Sequence, residues 1–306
     1  MEASVDTPEK TTSHPIPALD IDGATRLLFL IGDPISSVRS PALFNSLFEE
    51  SKTNAVCIPL CVSAENLEGF WSGVRQTGNL AGLLVTMPHK RLMASRVDDL
   101  DPTAQQVGAI NVARREANGR WRGAIFDGWG CVLGMLWEGN DPTGKRILLV
   151  GCGGAGSAIG FALAQMNPAR LAIFDLDTTV AGRVAAQISA AFPLCPVTVS
   201  EPDPTGFDIV INATPLGMNP GDPFPVDVER LRPGMAVVDV VTKPDPTAFG
   251  LAARERGCRT QSGRAMHEGQ AVYAAAFFGQ RYWPPHREKV VPPGPAEDIS
   301  PQRHEH

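Results

Sequence analysis

The chain has 306 residues, 43% hydrophobic and 20% charged, with a formal net charge of −6 and a pI near 5.6. That length points to two domains. The acidic balance gives no basic footprint for nucleic acid, and the absence of a run of about 18 apolar residues argues against a membrane span. Cys57, Cys61, Cys131, Cys152, Cys195 and Cys258 form no CxxC pair and no Cys/His ligand spacing, so reduced thiols in a cytoplasmic protein are expected rather than zinc or disulfides.

Residues 1–24 hold few large apolar side chains and read as a disordered N-terminal segment with no secretory signal. Residues 27–31 predict a buried strand and 41–50 a helix, with Ser40 as N-cap and Pro41 at the first position. A second strand over 55–60 is followed by an amphipathic helix over 64–75 capped by Ser63, and a third strand over 81–85. Asp101 and Pro102 open a short helix, and runs 110–115 and 120–126 flank Asn118-Gly119 as a hairpin. The domain boundary is placed near residues 128–140. Beyond it, strands are predicted at 146–150, 171–174, 208–211 and 236–241. Helices are predicted from the glycine turn to Gln165 and from Asp177, or a neighbouring threonine, to Ala191. A last helix over 264–280 is free to return to the first domain. Residues 284–306 carry six prolines in 23 positions and read as a Pro-rich disordered tail, whose closing His304-Glu305-His306 is not expected to hold a metal. Strand–helix alternation makes the fold class α/β, with a largely parallel sheet covered by helices.

The most specific local signal is Gly151-x-Gly153-x-x-Gly156, which directly follows an apolar strand and opens an apolar helix. The first glycine makes the tight turn, the second lets backbone approach a diphosphate, and the third lets helix and strand pack closely. The free N–H groups of the helix start would receive the anion. Asp175 lies about 20 residues downstream at the end of the next strand, where a carboxylate bonds adenosine ribose hydroxyls. The other reading of Asp175 is a cap for the following helix. Because a carboxylate repels a 2′-phosphate, NAD is expected in preference to NADP.

Further polar strings sit in apolar frames: GDPISSVRSP at 32–41, LVTMPHK at 84–90, GAIN at 108–111 and GAIFDG at 123–128. Lys90 follows a strand; beside a carboxylate in a cleft it could act as general acid and base, whereas on spacing alone it is a solvated lysine. Together with VGCGGAG at 150–156, NATPLGM at 212–218 and GRAM at 263–266 followed by Gln270, these strings resemble the shikimate dehydrogenase family over roughly residues 27–280.

The resemblance implies an N-terminal α/β substrate domain over 25–128 and a C-terminal Rossmann-type dinucleotide-binding domain over 129–263, with a cleft between them. A helix within 264–283 would return to the first domain. It implies Lys90 and Asp127 as the catalytic pair, with Ser40, Thr86, Asn111 and Gln270 on the substrate. Gly151, Gly153, Gly154, Ala155, Gly156, Asp175, Asn212, Thr214 and Gly263 would lie along the cofactor. Against the family pattern, Val38 stands for a serine, Leu84 for an asparagine, Ile125-Phe126 for Asn-Thr, Thr242 for a tyrosine and His267 for a leucine. Each apolar replacement removes a hydrogen-bonding group, a loss of about 1–3 kcal/mol per unmet polar group on a substrate. Arg39 either pairs a substrate carboxylate or faces solvent, and His267 either donates to substrate or packs within its helix.

The activity implied is hydride transfer between NAD(P) and a hydroxylated cyclic carboxylic acid such as shikimate or quinate, in a cytoplasmic protein, with a homodimer expected. The alternative is a catalytically weak ligand-sensing protein on the same fold.

Overall fold

Leucine- and β-branched runs bounded by turns build two sheets of six strands each. The computed structural model describes residues 21–36, 38–290 and 294. The first sheet is formed by β1 (Arg26–Gly32), β2 (Ala55–Cys61), β3 (Leu80–Val85), β4 (Asp99–Leu100), β5 (Val112–Arg115) and β6 (Trp121–Ala124), in the order β2-β1-β3-β5-β6-β4. The helices α1 (Ser40–Glu50), α2 (Leu67–Val74), α3 (Lys90–Ala94) and α4 (Pro102–Val107) connect them. β1 pairs parallel with both β2 and β3, while β5 and β6 form the antiparallel hairpin turned at Asn118-Gly119. Gly119 holds φ +82°, a left-handed conformation suited to glycine.

After α5 (Asp127–Trp137), the second half runs β7 (Arg146–Val150), α6 (Gly154–Gln165), β8 (Arg170–Phe174), α7 (Thr178–Ala191), β9 (Val197–Val199), β10 (Ile209–Asn212), β11 (Ala236–Asp239), α8 (Ala248–Glu255), β12 (Arg259–Gln261) and α9 (Gly263–Phe277). All its strands are parallel, in the order β12-β11-β10-β7-β8-β9. This is a doubly wound sheet whose order reverses between β7 and β10. Ile147 and Leu149 face the core shared with α6, while Leu148 and Val150 face a second core with Val210, Val237 and Phe249. Burial on both faces is why these strands read as unbroken apolar runs.

Some predicted boundaries differ. Ser40 is the first helical residue of α1; Arg39 is the N-cap and no side chain caps it. α2 starts behind Asn66 rather than Ser63, whose hydroxyl accepts from the side-chain NH₂ of Asn66. Asp101 and Asp177 do cap α4 and α7. Most of the segment at 128–140, where the boundary was placed, is α5, buried between α6 and α9. Residues 284–290, predicted as tail, are pinned to the body. Arg287 bonds Glu138 and Glu268, and its guanidinium lies 5.2 Å from the Trp137 ring centre. Residues 1–20 and 304–306 lie outside the described residues. Among the described residues no helix is long and apolar enough to cross a membrane.

Candidate active site

The carboxyl ends of β1, β3, β7, β8, β10 and β11 open onto one cleft of about 980 Å³ between the two sheets, at the switch point of the second. The strand ends supply the chemistry in short loops. Val38, Arg39 and Ser40 come from the loop after β1. Thr86 and Lys90 follow β3, and Asn111 precedes β5. α5 presents Asp127 at its first residue, where the helix's N-terminal partial charge favours a carboxylate.

Lys90 Nζ donates to both carboxylate oxygens of Asp127, at 2.8 and 2.7 Å. Their side chains are 15% and 4% exposed, so the pair is largely desolvated. Gln270 Nε2 donates to the same Asp127 Oδ1 at 2.7 Å, which ties the pair to α9. His89, buried at the N-cap of α3, donates Nε2–H to the Val62 carbonyl at 2.6 Å and fixes the loop that carries Lys90. Asn111 Oδ1 accepts from the Phe126 amide at 3.0 Å, leaving its NH₂ group as the cleft-side donor.

On the opposite wall, Gly151 holds φ +99°, with its Cα against Ala213 and Thr214, a conformation and a closeness that favour glycine. Gly153, Gly154 and Ala155 line the cleft. The first-turn amides of α6 have no acceptor inside the helix, so this turn fits the diphosphate of a dinucleotide. Gly156 does not line the cleft; it lets α6 start directly against the Gly151 carbonyl. Gly263 begins α9 on the carbonyls of Val240 and Val241, with no room for a Cβ.

Several residues are committed elsewhere. Asn212 is fully buried and absent from the cleft wall: its NH₂ bonds Leu216 O and Asp239 Oδ1, and its oxygen accepts from the Thr214 amide and hydroxyl. The Asn212 side chain therefore shapes the loop after β10. The Thr214 hydroxyl is spent on Asn212 and on the Leu216 amide, although Thr214 lines the cleft. Asp239 is buried among Thr247, Val241 and Asn212, and burial raises its carboxyl above the usual range. Ile125 and Phe126 are core: Phe126 stacks on Tyr273 at 5.8 Å, so their apolar character removes nothing from the cleft. Val38, Leu84 and Thr242 do line it.

Sequence reasoning passed over Arg91, Arg264, Met218 and Phe224, which also line the cleft. Arg91 carried a positional hint beside Lys90, and Arg264 and Met218 sat inside the strings GRAM and NATPLGM, whereas Phe224 lay in none of them. His267 Nε2 lies 3.3 Å from Ser40 Oγ, a contact across 227 positions that no local pattern reveals. Burial, then the charge of Arg39, hold the His267 imidazole below its ordinary pKa.

Residues 30–113 match the family model for the shikimate dehydrogenase substrate binding domain. The NADP(+) shikimate dehydrogenase of Rubrobacter xylanophilus is 38% identical over 86% of this chain and 92% of its own. That of Symbiobacterium thermophilum is 34% identical over 85% and 91%. Among solved structures, a shikimate dehydrogenase in complex with NADP+ superposes with TM-score 0.78 at 29% identity, covering 84% of this chain and 91% of that one. The quinate dehydrogenase of Corynebacterium glutamicum in complex with NAD gives TM-score 0.74 at 30% identity, over 83% and 93%.

The names of these curated relatives overturn the NAD preference drawn from Asp175. The geometry shows why that inference was loose. Asp175 Oδ2 accepts from the Cys152 amide at 2.7 Å and Oδ1 from the Asp177 amide at 3.0 Å, so the carboxylate braces the glycine turn whatever ribose lies beside it. With the cleft, the Lys90–Asp127 pair and these relatives taken together, the chain belongs to the shikimate dehydrogenase family.

Proposed function

We propose that the protein interconverts shikimate and its ketone by hydride transfer to and from NADP(H), with Lys90 and Asp127 moving the alcohol proton. The observation that carries this reading is the desolvated lysine ammonium bonded to both oxygens of one carboxylate on the cleft wall. When bound, the nicotinamide supplies the hydride acceptor or donor. In the reducing direction the Lys90 ammonium gives its proton to the ketone oxygen; in the oxidising direction Nζ first passes a proton to solvent and then, as the neutral amine, takes the proton of the reacting hydroxyl. Asp127 aims Nζ and bonds a neighbouring hydroxyl, while Gln270 keeps the carboxylate in place. Asn111 through its NH₂ and Thr86 through its hydroxyl hold ring oxygens. Ser40, fixed by His267, reaches the carboxylate end.

Arg39 lies at that end, exposed and without an acceptor among the described residues. Its planar fork suits a carboxylate, which offsets the hydroxyl that Val38 lacks. The backbone at Gly151, Gly153, Gly154 and Ala155 receives the diphosphate, with Gly263 and Thr214 flanking the nicotinamide end and Asp175 bracing the turn.

NADPH formation with shikimate, quinate and other cyclic hydroxy acids tests the reading, with Arg39→Met alongside. Shikimate is expected to turn over. Loss of one charge-assisted pair raises KM about 10- to 100-fold with kcat moved much less. Turnover of no member of the panel by the native protein contradicts the proposal.

A further inference from the structure

In a chain of net charge −6, the cleft gathers Lys90, Arg39, Arg91 and Arg264 against only Asp127 and Asp175. Both carboxylates are occupied: Asp127 by Lys90 and Gln270, Asp175 by two backbone amides. Arg264 donates to Glu268. Arg39 and Arg91 therefore remain as guanidinium groups with no acceptor among the described residues, in a concave site that focuses their field. They stand apart. Arg39 belongs to the substrate end, close enough to depress the His267 imidazole. Arg91 directly follows Lys90, whose stem runs along the glycine turn: a Cβ on Gly154 would lie 3.8 Å from Lys90 Cδ.

α3 thus faces the first turn of α6 across the cleft. Met93 and Ala94 are buried beneath α3 and hold its backbone, while Arg91 is exposed. A free guanidinium on one wall and free helix-start amides on the other are two independent donor sets for one polyanion. An arginine fork matches phosphate oxygens bidentately.

We propose that Arg91 reaches across the cleft to the phosphates of the bound dinucleotide, its place on the cleft wall directly after Lys90, whose stem passes Gly154, assigning it to the diphosphate. The inference rests on the dinucleotide reading above and adds to it a cofactor ligand supplied by the substrate domain. Arg91 is exposed and makes no hydrogen bond or ion pair among the described residues, so the effect of its removal is expected on binding rather than on folding.

The test is binding of NADP+ and of NAD+ to the native chain, Arg91→Gln and Arg91→Lys, at low and high salt, with the thermal midpoint as fold control. Arg91→Gln is expected to weaken NADP+ about tenfold at low salt, with a shallower salt dependence and partial recovery in Arg91→Lys. Equal weakening of both dinucleotides supports contact with the diphosphate. Weakening confined to NADP+ supports the phosphate contact but moves it to the 2′-phosphate. Native affinity for both in Arg91→Gln overturns the proposal, while a native chain that binds neither dinucleotide overturns the underlying reading as well.

Discussion

Burying a lysine beside an aspartate is expensive unless the two meet well, and Lys90 and Asp127 meet through two bonds of 2.8 and 2.7 Å with a third from Gln270. His267 adds a different kind of dependence. Its imidazole is held below the ordinary 6.5 by burial and by Arg39, so between the two values the unfolded chain binds a proton that the folded chain does not. Stability from this group is intact above about pH 6.5 and is lost as pH falls through the lowered folded value. The thermal midpoint of the native protein should therefore drop more between neutral and mildly acid pH than that of His267→Leu; parallel curves would sink the assignment. At this scale the sequence motifs pointed to Lys90, Asp127, Asn111 and Gln270, because each sits in a string with a recognisable frame. They could not show how hydrogen bonds are spent. Asn212 and Thr214 turn inward on their own loop, and Phe126 turns into the core, although all three carried polar or family-based expectations.

The elements hold the site by close approach. α5 carries Asp127, and α9 carries Gln270. They meet at Gly130, where a Cβ would lie 2.5 Å from the Gln270 backbone nitrogen. Backbone cannot yield as a flexible side chain does. Gly130→Ala is expected to cost about 1–3 kcal/mol through overpacking, even after alanine's better helix propensity is counted, and to lower kcat as Gln270 shifts. Gly182 in α7 has nothing within 4 Å of such a Cβ, so Gly182→Ala should gain up to about 1 kcal/mol and serves as the contrast. Paired thermal melts check both; equal midpoints for the two variants would contradict the packing argument. The same glycines explain why α5 was hidden in the sequence. Tertiary packing needs Gly128, Gly130 and Gly134 small, so α5 carries glycines that local helix propensity disfavours. β7, β8 and β10 were legible because burial on both faces makes them continuously apolar. β9 and β12 were not, being three-residue edge strands of mixed polarity.

For the whole molecule, alternation of strands and helices gave the α/β class and the two halves, and the glycine turn gave the side on which a ligand enters. The cleft itself is assembled from loops far apart in the chain, joined through α5 and α9, and its dimensions were invisible to local pattern. Cofactor preference was also illegible, because one carboxylate at the end of β8 serves the turn before it serves any ribose. The account stands on Lys90 as the proton carrier rather than as half of a structural ion pair, and Lys90→Arg separates these roles. Arginine keeps the charge opposite Asp127 but does not release its proton in a protein. Shikimate-dependent NADP+ reduction by this variant, measured with its thermal midpoint, should fall by about 10²–10⁴-fold while the midpoint stays near the native value. Turnover near the native rate in a folded Lys90→Arg protein would contradict the account.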